Sequence, residues 1–252
     1  MTTLLYDNSF PGFLTAVFEV YEYRLEDVSV LPQSLPQHGL FGDNRLVHTD
    51  NTKAERVWNG IGKHSNHAIR HSIYQVFLSE LPGMEQQLLQ YIRLLLNGGG
   101  RFEDYSQDAV RYVTDTARKV HREKHRMEAF VRFRQTADNL YFATISPDFN
   151  VLPLISDHFE RRYADQCWLI YDMQRSYGLY YDLEGVSTVE IDFKHLLSGR
   201  HTADHVLDAN EKEYERLWSN YFASVNIASR KNPKLQRQHM PLRYWKYLTE
   251  RQ

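Results

Sequence analysis

Residues 106–145 read SQDAVRYVTDTARKVHREKHRMEAFVRFRQTADNLYFATI, and the fold class turns on where the period changes inside this stretch. Over Ser106–Arg126 the apolar residues Val110, Val113, Ala117 and Val120 recur at three- and four-residue intervals, which predicts a long amphipathic helix. From Ala129 the pattern reads as alternation: Ala129, Val131 and Phe133 against Phe130, Arg132 and Arg134, which predicts a strand. Ala137-Asp138-Asn139 then supplies a hairpin turn before Leu140–Ile145 returns.

Upstream of this switch the chain reads mostly as helix. Leu4–Tyr6, Val28–Leu31 and Leu46–His48 are short strand candidates, whereas Phe10–Tyr23, a helix capped at Asn51 or Thr52, another capped at Asn66, and Met84–Leu96 have helical spacing. Downstream come a helix at Leu152–Tyr163, strands at Cys167–Tyr171, Gly178–Tyr181 and Ser187–Ile191, and a helix at Asn210–Phe222. The expectation is a single α+β domain over residues 1–252. It has a helix-rich lobe to about 126, an antiparallel meander over 127–224 and a basic segment at 225–252, and it is not a doubly wound parallel fold.

The composition suits a globular chain. It has 252 residues, 42% hydrophobic and 13% aromatic, enough for a substantial core. One cysteine, Cys167, excludes an intrachain disulfide framework, an all-cysteine zinc site and a cysteine-held iron–sulfur cluster. A reducing cytoplasm is therefore the expected location. No apolar run reaches the ~18 residues of a membrane span, and residues 1–13 lack the basic and apolar regions of a signal peptide, so no membrane association is expected.

The net charge of −2 conceals a segregation. Residues 1–117 carry 9 Lys/Arg against 14 Asp/Glu, and residues 135–224 carry 7 against 15. Between and after them, residues 118–134 carry 7 against 2 and residues 225–252 carry 7 against 1. Concentrated positive charge in an acidic protein points to a polyanion or an acidic partner face; the alternative is that the blocks neutralise the chain's own acids.

In the first block Arg118, Arg122, Lys124 and Arg126 end the predicted helix, and Arg132 and Arg134 share the following strand's face with Phe130. In the second, Arg230, Lys231, Lys234, Arg237 and Arg243 accompany Tyr244, Trp245 and Tyr247. Guanidinium groups match phosphate geometry and exposed aromatic rings stack on bases, so these residues are the nucleic-acid-binding candidates, with DNA as partner. The segment from Pro241 is expected to dock as a short helix, because Met240, Leu242, Tyr244, Trp245 and Leu248 are too apolar to stay in water.

A second polar corner holds His158, Arg161, Arg162, Asp165, Asp172 and Arg175. The first four share one side of the predicted helix, and the group suits acid–base chemistry, phosphate binding or an ion-pair network; it supplies the catalytic candidates for an enzyme of DNA or nucleotide metabolism. Histidines at 64/67/71, 121/125 and 201/205 have spacings compatible with metal ligation, and the enzyme alternative includes a metal-dependent form with a histidine-bound ion; none has third and fourth ligands nearby in sequence, so no metal and no cofactor is assigned. The Walker loop, GxGxxG, HExxH and GxSxG are all missing from the sequence.

Five stretches carry a resemblance to a known family: YDNSFPGFLTAVFEVYE (Tyr6–Glu22), FLSELPGMEQQLL (Phe77–Leu89), HRMEAFVRFR (His125–Arg134), PDFNVLPLISDHFERRYADQCWLIYD (Pro147–Asp172) and NPKLQRQHMPLRYWKYLTE (Asn232–Glu250). The chain resembles bacterial DNA-metabolism or DNA-repair proteins that carry a domain of unknown function. These accompany a radical S-adenosylmethionine protein assigned to DNA modification or repair, and in some relatives the domain is fused to a uracil-DNA-glycosylase-like domain. The resemblance implies a DNA-repair accessory protein with a radical S-adenosylmethionine partner. With one cysteine the chain cannot itself supply a three-cysteine cluster motif, and it lacks the GQDPY-like and HPSPL-like glycosylase stretches, so the stand-alone form is expected.

Overall fold

The structure, a computed structural model, describes residues 2–34, 43–97, 101–136, 139–190 and 240–248. The chain forms two compact units, Met1–His121 and Arg122–Gln252.

The first unit is built on a three-stranded parallel sheet in the order β2-β1-β3, from β1 (Thr2–Tyr6), β2 (Val28–Pro32) and β3 (Asp43–Leu46). A parallel pair needs a crossover, and α1 (Phe10–Glu22) provides the one between β1 and β2. Ser9 starts α1: its hydroxyl accepts the Gly12 N–H, and Pro11 occupies the first turn, where a missing N–H costs nothing. Asp7, at the end of β1, holds this corner by accepting from Ser9 Oγ (2.6 Å) and Thr49 Oγ1 (2.7 Å). Burial opposes its charge, but those hydrogen bonds outweigh it and lower its pKa. Gly12 is required here, since a Cβ would stand 2.1 Å from Asp7 Oδ1.

The helices α2 (Asn51–His64), α3 (His67–Phe77) and α4 (Met84–Leu96) also belong to this unit. The α2 cap is Asp50, whose carboxylate accepts from Thr52 and Lys53 N–H, one residue before the expected cap. Phe13, Ile61, Ile73, Leu88 and Ile92 are fully buried, and Phe10 stands edge-on to both Trp58 and Tyr74.

The unit boundary falls within α5 (Asp108–Phe130). The strand expected from Ala129 is instead the end of this helix. Met127 and Val131 continue the 3.6-residue stripe of buried positions, whereas Ala129 faces solvent, so helical burial overrides the short alternation. Arg132 consequently lies beyond the helix end rather than on a strand, and its guanidinium donates to the Ala129 (2.8 Å) and Val131 (3.2 Å) carbonyls. Only Arg134 and Gln135 form strand, as β4.

The second unit carries a five-stranded sheet in the order β4-β5-β6-β7-β8, with β5 (Tyr141–Ile145), β6 (Trp168–Asp172), β7 (Tyr177–Tyr181) and β8 (Val186–Val189). The α+β class holds. The meander is antiparallel except at β5–β6, which pair in parallel because α6 (Leu152–Arg162) carries the chain back between them. All five residues of β6 are buried, with Trp168 packed among Phe133, Phe159 and Tyr181. Gly178 on β7 is dictated by space, since a Cβ would lie 2.9 Å from the Ile170 carbonyl oxygen. After Pro241 a 3-10 turn, Leu242–Tyr247, buries Tyr244 while Leu248 beyond it is also buried; Leu242, expected in the docked face, is 56% exposed. The helix expected at 210–222 lies outside the described residues.

Candidate nucleic-acid interface

The second half of α5 places Glu123 on the buried side of an otherwise cationic helix end, 1% exposed. A buried carboxylate is tolerated when its lone pairs are fully used, and here they are. One oxygen accepts the Tyr244 hydroxyl and the Asp148 N–H (3.0 Å); the other accepts Arg126 Nη1 (3.4 Å) and Arg243 Nη2 (3.2 Å). Glu123 and Arg243 are 120 residues apart in sequence. The fold therefore brings members of the two basic blocks onto one anion.

Arg243 has further partners. It also meets Asp148 Oδ2 at 2.6 Å, donates to the Tyr244 hydroxyl at 2.6 Å and lies 4.6 Å from the centroid of the Tyr244 ring. Partial burial opposes its charge, but the Tyr244 oxygen and the two carboxylates outweigh that and raise its pKa. Burial foremost, and then the bond to Glu123, push the Tyr244 phenol upward as well. Phe130, at the end of α5, packs on Tyr244 with centroids 5.8 Å apart.

The Asp148 backbone is fixed on both sides. Its N–H goes to Glu123 and its carbonyl accepts from Arg175 Nη2 at 3.3 Å. Arg175 in turn is paired with the fully buried Asp172 at 3.0 Å and donates to the Pro147 carbonyl. Asp172 and Arg175, expected as catalytic candidates, thus brace the loop that carries Asp148.

The remaining candidates are spread out. Lys124 pairs with Glu128 at 2.7 Å, and Arg118 meets Asp115 at 3.5 Å on an exposed face. Arg122 is exposed, Arg134 is half-buried on β4, and the Trp245 indole N–H donates to the Met240 carbonyl. His158 Nδ1 stands 3.8 Å from Glu128, Arg161 pairs with Asp157 at the surface, and Arg162 lies over the Tyr163 ring. Because α6 ends at Arg162, Asp165 lies beyond the helix expected to hold it, and of the six residues Asp172 and Arg175 are the two that pair directly. Arg230, Lys231, Lys234, Arg237, His201 and His205 lie outside the described residues.

Among the described residues no group of three His, Cys, Asp or Glu is arranged to hold a metal ion. His67 and His71 stack with centroids 6.2 Å apart, and His64 Nδ1 lies 3.0 Å from the Gly60 carbonyl oxygen. No described helix is long and apolar enough to cross a membrane.

Sequence reasoning counted cations and passed over Glu123. The signal was present: it is one of only two acids among residues 118–134, three residues before Arg126. Fold and site together define an α+β protein whose second unit gathers basic and aromatic residues around a buried acid. A family model for the domain of unknown function DUF4130 matches residues 82–250, well over half of the chain, and the protein belongs to that family. No curated protein matches the sequence.

Proposed function

We propose that this protein is a nucleic-acid-binding accessory factor of DNA repair or DNA metabolism, working beside a radical S-adenosylmethionine partner. The observation that supports binding is the meeting of Arg126 and Arg243 at Glu123, with the solvent-facing Arg122 one turn away along α5. Arg243 remains 42% exposed on its side chain, so a phosphate oxygen reaches it without unfolding the site. Tyr247 and Trp245 lie on the same 3-10 turn and add aromatic surface of the kind that stacks on bases. The repair context and the radical partner are what the family resemblance implies.

Salt tests this reading. If about six phosphates are contacted, DNA affinity falls roughly 10³-fold between about 50 and 200 mM salt. No binding at the lower salt, or an affinity indifferent to salt, overturns it. Co-purification with the radical protein, before and after nuclease treatment, separates a DNA-bridged association from direct docking.

A further inference from the structure

The two carboxylates on Arg243 are unlike. Glu123 is 2% exposed on its side chain and has no capacity left over, whereas Asp148 is 51% exposed and meets Arg243 at 2.6 Å. Four residues hold the Asp148 backbone: Glu123 takes its N–H, Arg175 takes its carbonyl, Asp172 anchors Arg175, and Pro147 gives its own carbonyl to the same guanidinium. None of these bonds uses the Asp148 side chain. The loop is held through its backbone, and it presents one solvent-facing carboxylate to Arg243, the arginine of the described part of the C-terminal segment that meets α5.

We infer that Asp148 is an internal competitor for phosphate at Arg243, occupying the guanidinium until a nucleic-acid backbone displaces it. The inference rests on the nucleic-acid reading above. Asp148 meets Arg243 at Nη2, the nitrogen that Glu123 and the Tyr244 hydroxyl also share; a phosphate takes the place of Asp148 there, while Glu123 keeps its contact and Tyr244 stays docked. Exchange costs little because a half-exposed pair is screened by solvent and is worth far less than a buried one. Asp148 therefore sets a threshold: weak or isolated anions fail to displace it, and a polyanion with several phosphates succeeds.

The test is the binding of a short fluorescent DNA duplex to the full chain and to Asp148→Asn, with Asp157→Asn as a control that removes a surface carboxylate outside the site. Asp148→Asn is expected to bind about 5-fold more tightly at about 50 mM salt. Its log–log salt slope should steepen by about 0.9, one added phosphate contact on duplex DNA. Asp157→Asn should match the wild type, and in an Arg243→Gln background the Asp148→Asn gain should vanish. If the wild type binds but Asp148→Asn shows the same affinity and slope, or if its gain persists without Arg243, the inference is wrong and the nucleic-acid reading stands. If neither protein binds at low salt, that reading falls and the inference with it.

Discussion

Glu85 in the first unit and Glu123 in the second are both deeply buried, and the two are satisfied in different ways. Glu85, at the start of α4 in the first unit, is 5% exposed and receives the Tyr6 hydroxyl at 3.1 Å. Burial dominates there and raises its pKa. Glu123, in the second unit, is surrounded by two guanidinium groups, a phenol and a backbone N–H. A carboxyl whose partners are a phenol and its own backbone N–H serves packing inside the unit. One that gathers arginines from distant parts of the chain organises a charged surface, and this difference directs attention to the second unit.

Substitutions sharpen the contrast in order of expected size. Glu123→Ala should cost the most, about 3 kcal/mol by chemical denaturation, because Arg126 and Arg243 lose their shared counter-ion and Tyr244 loses its acceptor. Limited proteolysis should then cut near residues 240–248; a variant as stable and as resistant as the wild type would break the comparison. Tyr244→Phe removes only the hydroxyl from a charged hydrogen bond and should cost about 2 kcal/mol.

Glu85→Gln should do less, and its effect should depend on pH. The folded pKa of Glu85 lies above its unfolded value, so its contribution favours the fold fully below the unfolded carboxylate range. That contribution is lost as pH rises through the folded pKa. Glutamine keeps an acceptor for Tyr6 without the charge, so the variant should gain stability at neutral and alkaline pH and change little in acid. Denaturation midpoints across pH read this directly, and a stability gain of equal size at every pH contradicts it. Arg118→Gln should be smallest, within about 0.5 kcal/mol, since its pair with Asp115 is exposed on both sides.

The difference between the glutamates also marks what the sequence could and could not reveal. Long periodic segments were legible: α4 runs over Met84–Leu96 as its spacing predicts, and the α+β class followed from the change of period. The end of α5 was not, because Ala129, Val131 and Phe133 fit two periods and only the buried Met127 decides between them. The site was half legible. Basic and aromatic residues announced themselves as two blocks, but their meeting depends on Glu123, which looks like any surface acid of a charged helix until tertiary contacts bury it. Likewise Asp172 and Arg175 looked chemical because buried charge and catalytic charge use the same residue types.

The central claim is that residues from both basic blocks of the second unit serve one nucleic-acid surface. Amide hydrogen exchange of the full chain with and without DNA at low salt tests it most directly. The account predicts joint slowing in the 122–134 and 240–248 segments when DNA is added, with the first unit's sheet unchanged. Slowing in only one of those segments, in neither, or in β1–β3 instead would contradict it.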